Sequence, residues 1–197
     1  MFRGLVGLSL CLGLCGLLVG CSNPPVPKPE GYPRFDFPEK EYGPSDTKLP
    51  YSFDMPLYAE LEHRPDGSGT NIVVPQYKAT IYLSYYDKPG ALDTLFEDAH
   101  TMAYKHSVKA DAIEEKVFEN PQDSVYAMLY RIKGNVASSV QFYATDSVRR
   151  FLRGALYFYS EPNIDSLAPA VRFFEADILR MIETLKWREE AWPRSEK

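Results

Sequence analysis

The chain has 197 residues, 45% of them hydrophobic, and a formal net charge of −5. That acidic balance argues against nucleic acid as a partner and against a basic patch for anionic lipid, while the length suits one domain able to bury a core without staples. With 14 tyrosines and 11 phenylalanines the composition favours strands, because aromatic rings suit a pleated, half-buried surface.

From Met1 the chain runs apolar to Val19, with Arg3 its only charge. An apolar stretch shorter than about 18 residues, behind a basic start and ahead of small residues, is the pattern of a secretory signal and is too short to span a bilayer as a helix. Its end, Leu18-Val19-Gly20-Cys21, resembles the bacterial lipobox, in which the chain is cut before the Cys and the Cys takes fatty acyl chains such as palmitate. Residues 1–20 are then the signal peptide and Cys21 the lipidation site. Cys11 and Cys15 leave with the signal, so the mature fold has neither disulfide nor thiol chemistry. Ser22 and Asn23 follow Cys21, and no acidic residue comes before Glu30. This start fits the periplasmic leaflet of the outer membrane better than inner-membrane retention or surface export.

Residues 21–50 hold Pro24, Pro25, Pro27, Pro29, Pro33, Pro38, Pro44 and Pro50, which rule out a helix or a central strand and make this segment an extended tether. Tyr32, Phe35, Phe37 and Tyr42 are too aromatic for a solvated spacer and read as an arm packed along the body. A single domain is expected over 51–192, with 193–197 frayed. It opens with a strand over 51–55 halted by Pro56, and 57–61 reads as a continuation. Gly67 and Gly69 mark a turn-rich loop, and strands follow over 71–74 and 79–86. Residues 91–106 carry a helical stripe of Leu92, Leu95, Phe96, Ala99, Met102 and Ala103. A hairpin over 112–119 and 124–133, turning at Asn120-Pro-Gln-Asp123, is preferred to a helix running on to Val117. Strands over 138–145 and 151–159 come next. A last helix, capped by Asp165 or Ser166 with Pro169 in its first turn, carries a stripe of Leu167, Ala170, Val171, Phe174, Ile178, Met181, Ile182 and Leu185; Trp187 and Trp192 close the domain. Several strands are apolar on both faces, so the expected fold is α+β: an antiparallel sheet of about six strands between a middle and a C-terminal helix. The element order resembles the Mog1/PsbP-like fold.

The chain lacks Gly-x-Ser-x-Gly, a Walker loop, a dinucleotide fingerprint and Cys-x-x-Cys, so no catalytic residue and no cofactor is assigned. Glu60-x-x-His63 and Glu97-x-x-His100 have the spacing of di-iron bundle ligands, but such a site needs each motif on a helix and further Glu residues facing them. Residues 60–63 run into Pro65 and do not read as helix, so no metal is expected. His106 reads as a core-edge histidine, and the tyrosines as sheet cover rather than a ligand cleft. Thr145, Asp146 and Ser147 form a polar corner followed at once by Arg149, Arg150 and Arg153. Three guanidiniums on an acidic chain are either an ordinary rim or a docking patch for an acidic partner, and these six residues form the candidate interface.

Several stretches together resemble the gliding-motility lipoprotein GldD family: Pro27-Lys-Pro29 with Gly31-Tyr32, Pro50-Tyr-Ser-Phe53, Ile81-Tyr-Leu-Ser-Tyr85, Lys109-Ala-Asp111, Ala137-Ser138, Gln141-Phe-Tyr-Ala-Thr-Asp-Ser147 and Phe151-Leu-Arg-Gly-Ala-Leu-Tyr-Phe158. The resemblance implies a lipoprotein needed for gliding and for type IX secretion, without catalytic residues to carry over. It also implies a loop disulfide in relatives, but Leu49 and Gly69-Thr70 stand where its cysteines would be. The expected function is a non-enzymatic accessory, anchored in the lipid bilayer through acylated Cys21, that binds other motility or secretion lipoproteins or envelope proteins. The rival reading is a periplasmic carrier or sensor of a small apolar ligand held between sheet and helix. An unrecognised hydrolase would need a strongly perturbed acid or His in a cleft.

Overall fold

The computed structural model describes residues 35–46, 48–64, 69–105, 108–160 and 163–188. The signal peptide, Cys21, the Pro-rich stretch as far as Tyr32, His106, Trp192 and the tail from Arg194 to Lys197 lie outside the described residues. The strands are β1 Tyr42–Pro44, β2 Tyr51–Ser52, β3 Asp54–Pro56, β4 Glu60–His63, β5 Thr70–Val74, β6 Ala79–Asp87, β7 Ala110–Asn120, β8 Val125–Gly134, β9 Val140–Thr145, β10 Arg150–Phe158 and β11 Lys186–Trp187. Among the described residues the α-helices are α1, Leu92–Tyr104, and α2, Ile164–Thr184, with a 3-10 turn over Pro75–Tyr77.

Seven strands form one antiparallel sheet in the order β4-β5-β6-β10-β9-β8-β7. The last strand to be made in this sheet, β10, therefore sits in its middle, between β6 and β9. Alternation decides what each face carries. Ile81 and Leu83 of β6, Leu129 of β8, Phe142 of β9, and Leu152 and Leu156 of β10 are buried on one face in a cluster with Phe174, Ile178, Met181, Ile182 and Leu185 of α2. Burial of each such side chain contributes about 1.5–3 kcal/mol. On the other face Phe96 of α1 meets the rings of Tyr143 and Phe151, and Ala103 packs with Tyr130, Ile132 and Val136. The sheet thus lies between the two helices, as its double-sided apolar strands require.

Several boundaries differ from the sequence expectation. The sheet has seven strands, one more than expected. Pro44 and Pro56 lie inside strands because β1 and β3 pair only with each other, so a missing N–H costs the main sheet nothing. Leu57, expected in a strand, is 64% exposed in a turn. Asn163, not Asp165 or Ser166, caps α2, its Oδ1 accepting the Ser166 N–H at 3.0 Å. Pro169 then falls beyond the first turn, and its lack of an N–H leaves the Asp165 carbonyl without its intrahelical donor. Gly154 of β10 lies opposite Phe142, whose ring occupies the space a Cβ would need.

Candidate anchoring and docking surfaces

The segment that leads from the Pro-rich stretch into the body is fastened to α2. Phe35 stacks on Phe37 and Phe37 on Phe173 of α2, with Tyr77 tilted against them. Three residues further on, the Lys40 ammonium reaches Asp177 Oδ1 at 2.6 Å, donates to the Tyr58 hydroxyl and the Phe173 carbonyl at 2.8 Å each, and lies 3.3 Å from the Phe173 ring centroid. Asp177 is 2% exposed and also accepts from the Tyr42 hydroxyl at 2.9 Å and the Tyr58 hydroxyl at 2.6 Å. A carboxylate is tolerable at that depth only when paired and hydrogen-bonded in this way. Burial lowers the Lys40 pKa against the opposing pull of Asp177, and burial together with the carboxylate raises those of Tyr42 and Tyr58. A second fastening joins Arg180 of α2 to Asp54 of β3 at 2.6 Å. Of these residues Phe35, Phe37 and Tyr42 stand out from the sequence, as the aromatic arm; Lys40, Tyr58, Asp177, Asp54 and Arg180 do not. The available signal was Asp177 itself, an acid three residues after Phe174 and seven after Ala170, on the edge of the buried stripe.

The six candidate interface residues separate into two roles. Asp146 Oδ1 accepts the backbone N–H groups of Val148 at 2.9 Å, Arg149 at 2.8 Å and Arg150 at 2.9 Å. Thr145 Oγ1 donates to the Arg150 carbonyl at 2.7 Å and accepts from the Ser147 N–H at 3.0 Å, while Ser147 takes a positive φ of 62°. These residues build the turn between β9 and β10. Burial pushes the Asp146 carboxyl up, but the three backbone bonds outweigh it and hold the group below its ordinary range. Arg149 meets Asp87 at 3.3 Å, with both side chains 40% exposed, and Arg150 meets Asp146 at 3.8 Å while only 13% exposed. Arg153 lies further along β10 and donates to Gln141 Oε1 at 3.0 Å. The tip of the turn presents Val148, 70% exposed, beside Arg149.

The two Glu-x-x-His pairs lie on different kinds of element, β4 and α1. His63 Nε2 faces Asp46 at 3.3 Å, and His100 stacks on Tyr104. Among the described residues no three His, Cys, Asp or Glu side chains converge as metal ligands. A groove of about 480 Å³ runs between α2 and the end of β8, lined by Ile132, Val136, Leu167, Val171 and Leu179, with Arg131 and Glu175 at its polar side. Arg131 holds Glu175 through both carboxylate oxygens and Glu114 at 3.0 Å.

A family model described as gliding motility lipoprotein GldD matches residues 22–187. The chain belongs to this family. The match spans the arm, the clamp onto α2, the sheet and the turn between β9 and β10, and makes the chain a lipoprotein of a gliding-motility family and hence of the cell envelope. No curated protein matches it. Among solved structures, the solution structure of cyanobacterial PsbP (CyanoP) from Synechocystis sp. PCC 6803 is similar at 13% identity and a TM-score of 0.46, covering 81% of this chain and 99% of the other.

Proposed function

We propose that the protein is a non-enzymatic accessory of the gliding-motility and type IX secretion machinery, held by acyl chains on Cys21 in the periplasmic leaflet of the outer membrane and acting by protein–protein binding. The observation that carries this reading is the family match over residues 22–187, which begins at the residue after the lipobox cysteine. The clamp of Lys40, Tyr42 and Tyr58 on Asp177 supports it, because a body fastened to the root of its own tether suits a part that holds position at a membrane. The docking surface is the turn from Thr145 to Arg149 with Arg150 and Arg153 behind it. Arg149 and Val148 touch an acidic partner there, and Thr145, Asp146, Ser147 and Arg150 hold the loop in shape. Affinity purification of the tagged lipoprotein, beside Cys21→Ser and Arg149→Glu variants, tests the reading. The expected result is membrane release of Cys21→Ser and loss of co-purifying motility proteins from a normally folded Arg149→Glu. Unchanged fractionation of the first and unchanged recovery by the second would overturn it.

The groove between α2 and β8 favours a second reading, a carrier or sensor of a small apolar ligand, since leucine, isoleucine, valine and alanine side chains line it beside a polar rim that includes Arg131, Arg172 and Glu175. Displacement of a fluorescent fatty acid, abolished by Val171→Trp, is the result this reading requires.

A further inference from the structure

Helix α1 covers only part of its face of the sheet, packing on β9 and β10. Beside it a cleft of about 470 Å³ lies open, lined by Arg64, Tyr82, Ser84, Arg153, Ala155, Tyr157 and Tyr159. The register explains its shape. Ala155 lies opposite Tyr82 on one side and Gln141 on the other, a small residue flanked by larger ones, and so forms the floor. Tyr82 and Tyr157 pack edge to face at 5.5 Å, and the hydroxyls of Tyr82 and Tyr159 meet at 2.6 Å, giving a wall of rings with polar tips.

Two arginines and a serine line this cleft. Ser84 lies directly opposite Arg153 in the sheet, and its Oγ accepts from Arg64 Nη2 at 3.0 Å. Arg64 Nη2 also donates to the Leu83 carbonyl at 2.6 Å, and Arg153 Nη2 donates to the neutral amide of Gln141 at 3.0 Å. Both arginines are half-buried. Among the described residues no carboxylate lies within ion-pair distance of Arg153, and Asp98 of α1 acts on it only through space. Burial lowers the Arg153 pKa, which marks a cation held without full compensation. On a chain of net charge −5, with acids in plenty to pair it, a half-buried Arg153 that no described carboxylate pairs is costly as a resting arrangement.

We propose that this cleft binds a saccharide bearing a carboxylate, with Arg153 and Arg64 holding the acid group and the tyrosines holding the sugar. Guanidinium forks match a carboxylate bidentately. The hydroxyls of Tyr82, Tyr159 and Ser84 both donate and accept, as the hydroxyls of a sugar do, and the ring faces offer apolar area for its C–H face. The volume is that of a small-molecule site. The cleft sits over the central strands β6 and β10, not at an exposed sheet edge, so it offers no ladder to an extended peptide.

The test is isothermal titration of the full-length lipoprotein in detergent with short oligogalacturonates, with a neutral oligosaccharide and with an acidic peptide. Saturable binding of the oligogalacturonate alone is expected, weakened at least tenfold in Arg153→Gln and partly restored in Arg153→Lys. Tyr159→Ala, at an exposed position that carries little of the fold, is expected to weaken binding severalfold with an unchanged melting curve. No binding at millimolar oligogalacturonate would overturn the proposal. So would equal binding of the neutral sugar or the peptide, or affinity unchanged in both Arg153→Gln and Tyr159→Ala.

Discussion

The clamp on α2 makes a quantitative claim about Asp177. Replacing it with Asn keeps the shape but removes the charge that faces Lys40 at 2.6 Å and two tyrosine hydroxyls at 2.9 and 2.6 Å. Breaking a buried ion pair from one side costs about 3–5 kcal/mol. Lys40 retains 27% side-chain exposure, and water there screens part of the loss. The expected destabilisation of Asp177→Asn is therefore about 2–4 kcal/mol. For a domain of this size that lowers the melting temperature by about 5–15 °C. Lys40→Met is expected to cost less, about 1–3 kcal/mol, because the carboxylate keeps both tyrosine donors. Lys40→Met with Asp177→Leu removes both charges, and its cost is expected to fall short of the sum by about 1–3 kcal/mol. Urea unfolding followed by circular dichroism measures all three, and limited proteolysis reports whether the segment before β1 is freed. Additive single effects, or an arm cut no faster in Asp177→Asn, would refute the assignment of Asp177 as the fastening point.

Gly154→Ala is expected to destabilise by about 1–3 kcal/mol, because its methyl must displace the buried Phe142 ring; a neutral result would show that the ring can yield. Asp146→Ala is expected to cost about 1–2 kcal/mol by stranding the turn's N–H donors, whereas Asp146→Asn keeps an acceptor and costs less; equal losses would mean that charge rather than geometry holds the turn. Tyr82, raised by the Tyr159 hydrogen bond, and Tyr85, raised by burial, ionise at about 12 in the fold against an ordinary tyrosine value of 10.0, and Tyr42, Tyr51, Tyr58 and Tyr130 are raised as well. Raised folded-state values give stability that is intact below pH 10 and lost as pH rises through the folded values. Stability is thus expected to fall steadily from about pH 10 upward, with tyrosinate absorbance appearing together with unfolding; ionisation of all tyrosines near pH 10 in a folded chain would contradict this.

The legible parts of the fold were those with a strict period. The alternation in β6 and β10 and the stripe of α2 placed the core correctly, because burial on one side imposes that spacing. The short elements were not legible. Strands β1, β3 and β11 are only two or three residues long and carry two prolines, so nothing local distinguishes them from an extended tether. Asn163 was missed as a cap because Asp165 and Ser166 are equally good capping types, and only the backbone decides among them. At the surface, the cluster of three arginines was visible but its division was not. The pairing of Arg149 with Asp87 depends on strand register, and the placing of Arg64 and Arg153 along one cleft depends on how the strands are ordered in the sheet. Pairings between residues so far apart leave no mark on either local sequence.

The arm and the last helix complete one another across nearly the whole chain: Lys40 with Asp177, Asp54 with Arg180, Tyr51 paired with Trp187 and the Pro50 carbonyl accepting from the Arg188 N–H. Ribosomes and translocation channels deliver such a chain from its first residue onward, so the segment bearing the clamp's lysine emerges long before the helix that receives it. Contacts of such separation form late, after the intervening loop has been closed. A nascent chain that stops short of α2 has a sheet with one face bare and an arm with no place to dock. Fastening at Asp177 therefore waits for α2: only a chain translated through that helix can draw its arm onto the body.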